Sequence, residues 1–291
     1  MSDISIPALM GQLLVGLING SFYALLSLGL AVIFGLLNII NFTHGAQYMM
    51  GAFAAYFLLN KLGLNYWWAL VIAPLAVGAT GMLIERLMLK HLYKLDHLYG
   101  LLLTFGLALI IEGIFRNEFG SAGLPYSMPE LLSGSFNLGF MFLPKYRAWV
   151  IVASLVICLA TWFLIERTKL GAYLRAATEN PALVQAFGIN VPRMITLTYG
   201  FGVGLAALAG VFAAPIYQVS PQMGSSLIIV VFAVVVIGGM GSIMGSIVTG
   251  FGLGVIEGLT KFFYPEASNT VIFVIMAIVL MFRPQGLFGQ R

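Results

Sequence analysis

The sequence predicts an all-α fold: a polytopic transmembrane helical bundle of eight or nine spans, with a structured loop on the cytoplasmic side. Three observations carry this. Of 291 residues, 60% are hydrophobic and only 8% are charged, whereas soluble domains carry about a quarter charged residues; a chain this apolar could not cover its own surface against water. Apolar runs recur at close to the roughly 20 residues that a helix needs to cross about 30 Å of hydrocarbon. Finally, lysine and arginine fall unequally on alternate loops. Because lipid offers no hydrogen bonds, each run must close its own backbone bonds, which makes it a helix and not a strand. One bundle over residues 1–291 suits this length better than two domains.

The runs in order are Leu9–Phe34, Gly45–Leu59, Tyr66–Ile84, Leu98–Phe115, Trp149–Ile165, Ile195–Pro215, Leu227–Ile237, Ile243–Leu259 and Thr270–Phe282. The two that flank Gly238–Ser242 are short and glycine-broken. They read either as two spans or as one interrupted span, hence eight or nine.

Orientation follows from the basic residues. Arg86, Lys90, Lys94, Arg167, Lys169, Arg175, Arg193, Arg283 and Arg291 fall on one side, nine in all, against five on the other: Lys61, Arg116, Lys145, Arg147 and Lys261. The richer side is assigned to the cytoplasm. With nine spans the N-terminus is then outside and the C-terminus inside. Two loops exceed simple connections. Asn117–Tyr146 is outside and carries Pro125, Pro129 and Pro144. Glu166–Pro192 is inside and has helical character: Leu170, Tyr173, Leu174 and Ala177 share one helical face. A second short helix is expected over Pro181–Phe187, opened by proline and closed at Gly188.

Several chemistries drop out. Cys158 is the sole cysteine, so no intrachain disulfide or cysteine zinc site can form. Met1–Pro7 holds no lysine or arginine, so a cleaved signal peptide is not expected and the first run should stay in the mature protein. The net charge of +4 belongs with loops near lipid headgroups, not with nucleic acid. Gly200-x-Gly-x-Gly and Gly250-x-Gly-x-Gly lie inside apolar runs, with no preceding strand and no Lys-Ser/Thr partner, so they are helix-packing stripes and not phosphate loops. No cofactor is expected in this chain. Any ATP and magnesium must bind another subunit.

Polar residues inside the apolar runs are the candidates for function, since they are costly at membrane depth. Asn38, Asn41, Thr43 and His44 lie between Gly35 and Gly45. One reading is a broken helix whose free backbone groups, with these side chains and Gly45, line a substrate pathway and meet a zwitterion. The other is a cytoplasmic turn in which the asparagines cap helices. In both, the segment is irregular and not mid-helix. His44 has no second ligand at a useful spacing for a metal. Among the carboxylates, Glu85 is expected to pair with Arg86 at the interface, Glu112 with Arg116 and Glu257 with Lys261, the last two at i,i+4.

The remaining signal is in motifs. Arg175-Ala-Ala-x-Glu-Asn, then Ala186-x-Gly188-Ile189, resembles the ATPase-docking loop of bacterial ABC importer permeases. Gly16-Leu-Ile-Asn-Gly-Ser-Phe-Tyr-Ala-Leu, Gly35-Leu-Leu-Asn-Ile-Ile-Asn-Phe-x-His-Gly, Met50-Gly-Ala, Gly238-Gly-Met-Gly-Ser-x-x-Gly-Ser and Phe282-Arg-Pro-Gln-Gly-Leu-Phe-Gly are similar to the LivH-type permeases of branched-chain amino-acid importers. The resemblance spans essentially the whole chain, although Asn117–Tyr146 carries little of the pattern. It implies a non-enzymatic permease domain of the bacterial inner membrane that passes leucine, isoleucine and valine. It further implies a second LivM-like permease, two ATPase subunits that hydrolyse ATP, and a periplasmic binding protein. In the docking loop it implies a coupling helix whose ATPase contacts are Arg175, Ala176, Glu179, Asn180, Ala186, Gly188 and Ile189, with Arg175 and Glu179 presenting the polar face.

Relatives of such permeases also handle other amino acids, urea or short amides, so that substrate class stays open. A secondary transporter would want carboxylates near the bilayer centre, and the acids here sit near span ends. An intramembrane enzyme would need partners for Ser242 that the sequence does not offer.

Overall fold

The computed structural model describes residues 5–37, 40–93, 95–139 and 141–289. Asn38, Lys94 and Arg291, used above, lie outside the described residues.

The chain is predominantly helical. Its helices are α1 (Ile6–Leu37), α2 (Thr43–Leu62), α3 (Tyr66–Leu87), α4 (His97–Phe119), α5 (Lys145–Arg167), α6 (Lys169–Glu179), α7 (Pro181–Ala186), α8 (Val191–Ala213), α9 (Met223–Gly238), α10 (Ile243–Phe263) and α11 (Val271–Phe282). Six are long and apolar enough to cross a membrane: α1, α3, α4, α5, α8 and α10. The 16 residues of α9 reach about 24 Å and the 12 of α11 about 18 Å at 1.5 Å per residue. The only strands among the described residues form a hairpin in the loop before α5, Ser135–Asn137 against Phe142–Pro144.

The framework is built on glycine. Along α1, Gly16 and Gly20 meet Gly250, Gly254 and Gly258 of α10, so two backbones touch where side chains would otherwise intervene. A Cβ added at Gly250 would sit 2.5 Å from the Ala24 backbone. The order of these contacts makes α1 and α10 antiparallel. Gly78 and Pro74 of α3 meet Gly200 and Gly204 of α8, also antiparallel. In contrast α2 runs alongside α8 in the same direction: Thr43 and Gln47 lie against Tyr199, and Gly51 against Ala207.

The glycine-rich stretch Gly238–Ser242 separates two helices that fold back on each other, with Gly238 packed on Gly245. Gly239 at φ 103° and Gly241 at φ 84° adopt the left-handed backbone that other residues avoid. The Ser242 hydroxyl accepts from the Gly245 amide at 3.1 Å as N-cap. The tail then closes the end of α9: the Leu287 and Phe288 amides donate to the Ile237 and Gly238 carbonyls at 2.8 and 3.0 Å. Those carbonyls would otherwise lack partners at a helix end.

Candidate pathway residues and docking loop

The helix does break between α1 and α2, over residues that include Ile40–Phe42, but the expected irregular segment is shorter than read: Thr43, His44 and Gly45 already form the first turn of α2. The break is not a solvated turn. Asn41, Thr43 and His44 are fully buried. Asn41 stands just ahead of α2 and accepts from the Thr43 amide at 3.1 Å and from the Thr43 hydroxyl, while its own amide donates to Gln47 Oε1 at 3.2 Å. Thr104 on α4 clamps the break, accepting from the Phe42 amide at 3.2 Å and donating to the Ile40 carbonyl at 3.1 Å. Phe42 stacks on Phe232 of α9, with ring centres 5.2 Å apart.

His44 fixes the depth of this site. Its Nε2 lies 3.0 Å from the Leu26 carbonyl, so Nε2 carries the hydrogen. Leu26 precedes the end of α1 by 11 residues, about 16 Å of helix. The first turn of α2 therefore starts beside the middle of α1. There Gly45 meets Gly224 at the start of α9, backbone against backbone. His44 Nδ1 finds no partner among the described residues.

The carboxylates depart from two of the three expected pairs. Glu85 is 2% exposed and accepts from Tyr93 Oη at 2.5 Å and from Thr196 Oγ1 at 2.6 Å. It does not pair with Arg86, because successive residues on a helix do not face each other. Burial, reinforced by the bond to Glu85 and its charge, holds the Tyr93 phenol well above the usual tyrosine range. Glu257 faces α1 and not along its own helix toward Lys261: Asn19 Nδ2 donates to it at 3.2 Å and Tyr23 Oη at 2.7 Å. The glycine seam between α1 and α10 brings those donors within reach. Glu112 and Arg116 do pair as expected.

Asn19 and Tyr23 were not singled out in the sequence. They border a cavity of about 280 Å³ with Phe22, Tyr48, Tyr217 and Leu227. The available signal was two polar side chains at i,i+4 inside the first apolar run. What the sequence lacked was Tyr217, whose hydroxyl donates to Asn19 Oδ1 at 3.3 Å across 198 positions.

On the opposite end, α6 and α7 form the expected two-helix loop. Asn180 caps α7 by accepting from the Leu183 amide at 3.0 Å, Pro181 opens it, and Gly188 at φ 84° ends it. Asn190 caps α8 in the same way, with the Arg193 amide at 3.0 Å. The buried face differs from the expected one. Gly171, Leu174 and Ala177 point inward, while Leu170 and Tyr173 are exposed. A Cβ on residue 171 would run into the Ile165 carbonyl, so the glycine lets α6 lie directly on the end of α5. Arg175 does not pair with Glu179. It reaches back to the Ile165 carbonyl at 3.0 Å, satisfying one of the last carbonyls of α5, and to the Glu166 carboxylate at 3.4 Å. Arg175, Ala176, Glu179, Asn180, Ala186 and Gly188 are all exposed, and Ile189 is half-buried.

Comparison with known proteins is consistent with this architecture. Residues 12–280 match the family described as branched-chain amino acid transport system / permease component. The chain is 29% identical to the high-affinity branched-chain amino acid transport system permease protein LivH of Salmonella typhimurium, over 96% of this chain and 95% of that one. It is 31% identical to the corresponding protein BraD of Pseudomonas aeruginosa, over the same shares. It is also 28% identical to permease protein LivM of Escherichia coli, over 91% of this chain and 67% of that one. No solved structure matches. The match over nearly the whole chain, carried by helices that are built to lie in lipid, makes this chain a member of the branched-chain amino acid transport permease family.

Proposed function

We propose that this chain is the membrane-spanning subunit of an ATP-driven importer that carries leucine, isoleucine and valine across the inner membrane. The observation that carries the reading is family membership over residues 12–280. The proposed topology has nine alternating crossings, with α9 and α11 as short ones, the N-terminus outside and the C-terminus inside. The antiparallel pairs α1/α10 and α3/α8 and the parallel pair α2/α8 support it. The loop 117–146 then faces the periplasmic binding protein and the loop 166–192 the cytoplasm.

Arg175, Ala176, Glu179, Asn180, Ala186, Gly188 and Ile189 are the proposed contact with an ATPase subunit. Their exposure on a short helix pair seated against α5 and α8 supports this. Motion of the ATPases would press α6 against the end of α5 and α7 against the start of α8. ATP and magnesium belong to the ATPases, and the chain itself catalyses nothing. The remaining partners are a second, LivM-like permease and a second ATPase. Asn41, Thr43, His44 and Gly45 act on the pathway from inside the bundle. Buried as they are, they reach substrate only when the Gly45–Gly224 contact between α2 and α9 opens.

Affinity purification of the chain from its native membrane tests the reading. Two ATPase subunits and a second permease should come with it, and the stripped chain should show only background ATP turnover. Recovery of the chain alone, or hydrolysis by rigorously ATPase-free material, would overturn it.

A further inference from the structure

A permease that passes an amino acid must at some point surround a zwitterion, and one cavity has the groups to do so. It lies between the first half of α1, the segment after α8 and the start of α9. At about 280 Å³ it is close to the smallest ligand pockets, the size for one small solute. One wall is apolar: Phe22, Met223 and Leu227. The other is polar: Asn19, Tyr23, Tyr217, Ser220 and Ser226. Tyr48 lines it from below and is 1% exposed.

One acidic side chain backs this polar wall: Glu257 on α10, which stands behind Asn19 and Tyr23 and does not itself line the cavity. Glu257 is held toward the cavity wall by Asn19 and Tyr23, at 3.2 and 2.7 Å, and Tyr217 joins the same chain through Asn19 at 3.3 Å. A carboxylate is expensive at membrane depth. Here it is neither snorkelling nor paired with the lysine on its own helix, but tied to two cavity residues.

We propose that this cavity is the α-amino-acid recognition site of the translocation path: the substrate ammonium is received by Asn19 and Tyr23, backed by Glu257, its carboxylate by the hydroxyls of Ser220 and Ser226, and its aliphatic side chain against Phe22, Met223 and Leu227. The proposal rests on the permease reading above and adds the residues that select substrate. It separates amino acids from urea and short amides, which carry no ammonium for the Glu257-backed pair Asn19 and Tyr23 to receive.

Ser226 is exposed on the cavity wall, and the sole native cysteine, Cys158, is fully buried. Ser226→Cys therefore supplies the one accessible thiol of this chain, whose labelling is followed on this subunit in the assembled transporter. Its rate of maleimide labelling should fall at least threefold in saturating leucine. It should not fall with isocaproate, which lacks the ammonium, or isoamylamine, which lacks the carboxylate. Adding Glu257→Gln should raise the leucine concentration needed for protection at least tenfold. Recovery of the complex with its ATPases reports whether each variant folds, and Tyr217→Phe, a smaller change, should raise that concentration two- to fivefold. Leucine uptake by the unsubstituted transporter without protection, or equal protection by all three compounds, overturns the site and leaves the permease reading standing. Absence of leucine, isoleucine and valine uptake overturns both.

Discussion

The helices α1 and α4 have nearly the same mean hydropathy over their most apolar windows, 1.9 and 2.1, yet 83% of the first window is buried and only 11% of the second. Hydropathy says that a helix belongs in a membrane and nothing about whether it meets protein or lipid. What separates the two is what their glycines touch. In α1, a Cβ added at Gly16, Gly20 or Gly29 would strike backbone of α10 or α8, whereas one added at Gly106 or Gly113 of α4 would meet nothing within 4 Å. Close packing of small residues takes the place of the hydrophobic drive that is missing between helices in lipid.

The largest expected effects test this contrast. Gly250→Leu forces a side chain into the Ala24 backbone, and overpacking costs about 1–3 kcal/mol even where side chains can yield. Here they cannot, so folded protein in the membrane should fall to a small fraction of wild type. Gly113→Leu should leave the amount and the melting temperature unchanged. If Gly113→Leu folds but no longer assembles with its partners, α4 meets another subunit and not lipid.

The docking loop offers a second contrast, between faces of one short helix. Ala176→Trp, on the exposed face of α6, should leave the chain folded but reduce ATPase recovery, since loss of an interface centre typically costs about 2 kcal/mol or more. Leu174→Ala, on the buried face, should act through stability instead, by about 2–5 kcal/mol. Wild-type assembly and uptake with Ala176→Trp would mean that the loop rests on lipid. The smallest effect is expected at Tyr93→Phe, which removes one donor from Glu85 and should cost about 1–3 kcal/mol because the carboxylate stays buried. A melting-temperature shift of the purified complex reads it.

These sites also mark what the sequence disclosed. Local chemistry was legible. Proline at 181 and glycine at 188 act within three residues and bound α7 where expected, whereas the equally local asparagine caps at 180 and 190 were not read and α8 begins at Val191, ahead of the expected Ile195. The glycines of 238–242 marked a break for the same reason. Partners that depend on packing were not legible. Glu85 finds Thr196 across 111 positions and Glu257 finds Asn19 across 238, while the adjacent Arg86 and the i,i+4 Lys261 go unused by them. The inward face of α6 was misassigned because Gly171 contributes no hydrophobic signal, although it is what allows the helix to touch the end of α5. Asn41 showed both sides of the difficulty: its bond to the Thr43 amide is local, but it is fully buried where Thr104 of the distant α4 bonds Ile40 and Phe42 on either side of it.

The most direct test of the central claim is uptake by proteoliposomes that contain this chain, its second permease and the ATPases, supplied with the binding protein. Labelled leucine should accumulate only when ATP is enclosed with the ATPases, and a proton or sodium gradient without ATP should move none. Accumulation driven by an ion gradient in the absence of ATPases would contradict the account and make the chain a secondary transporter.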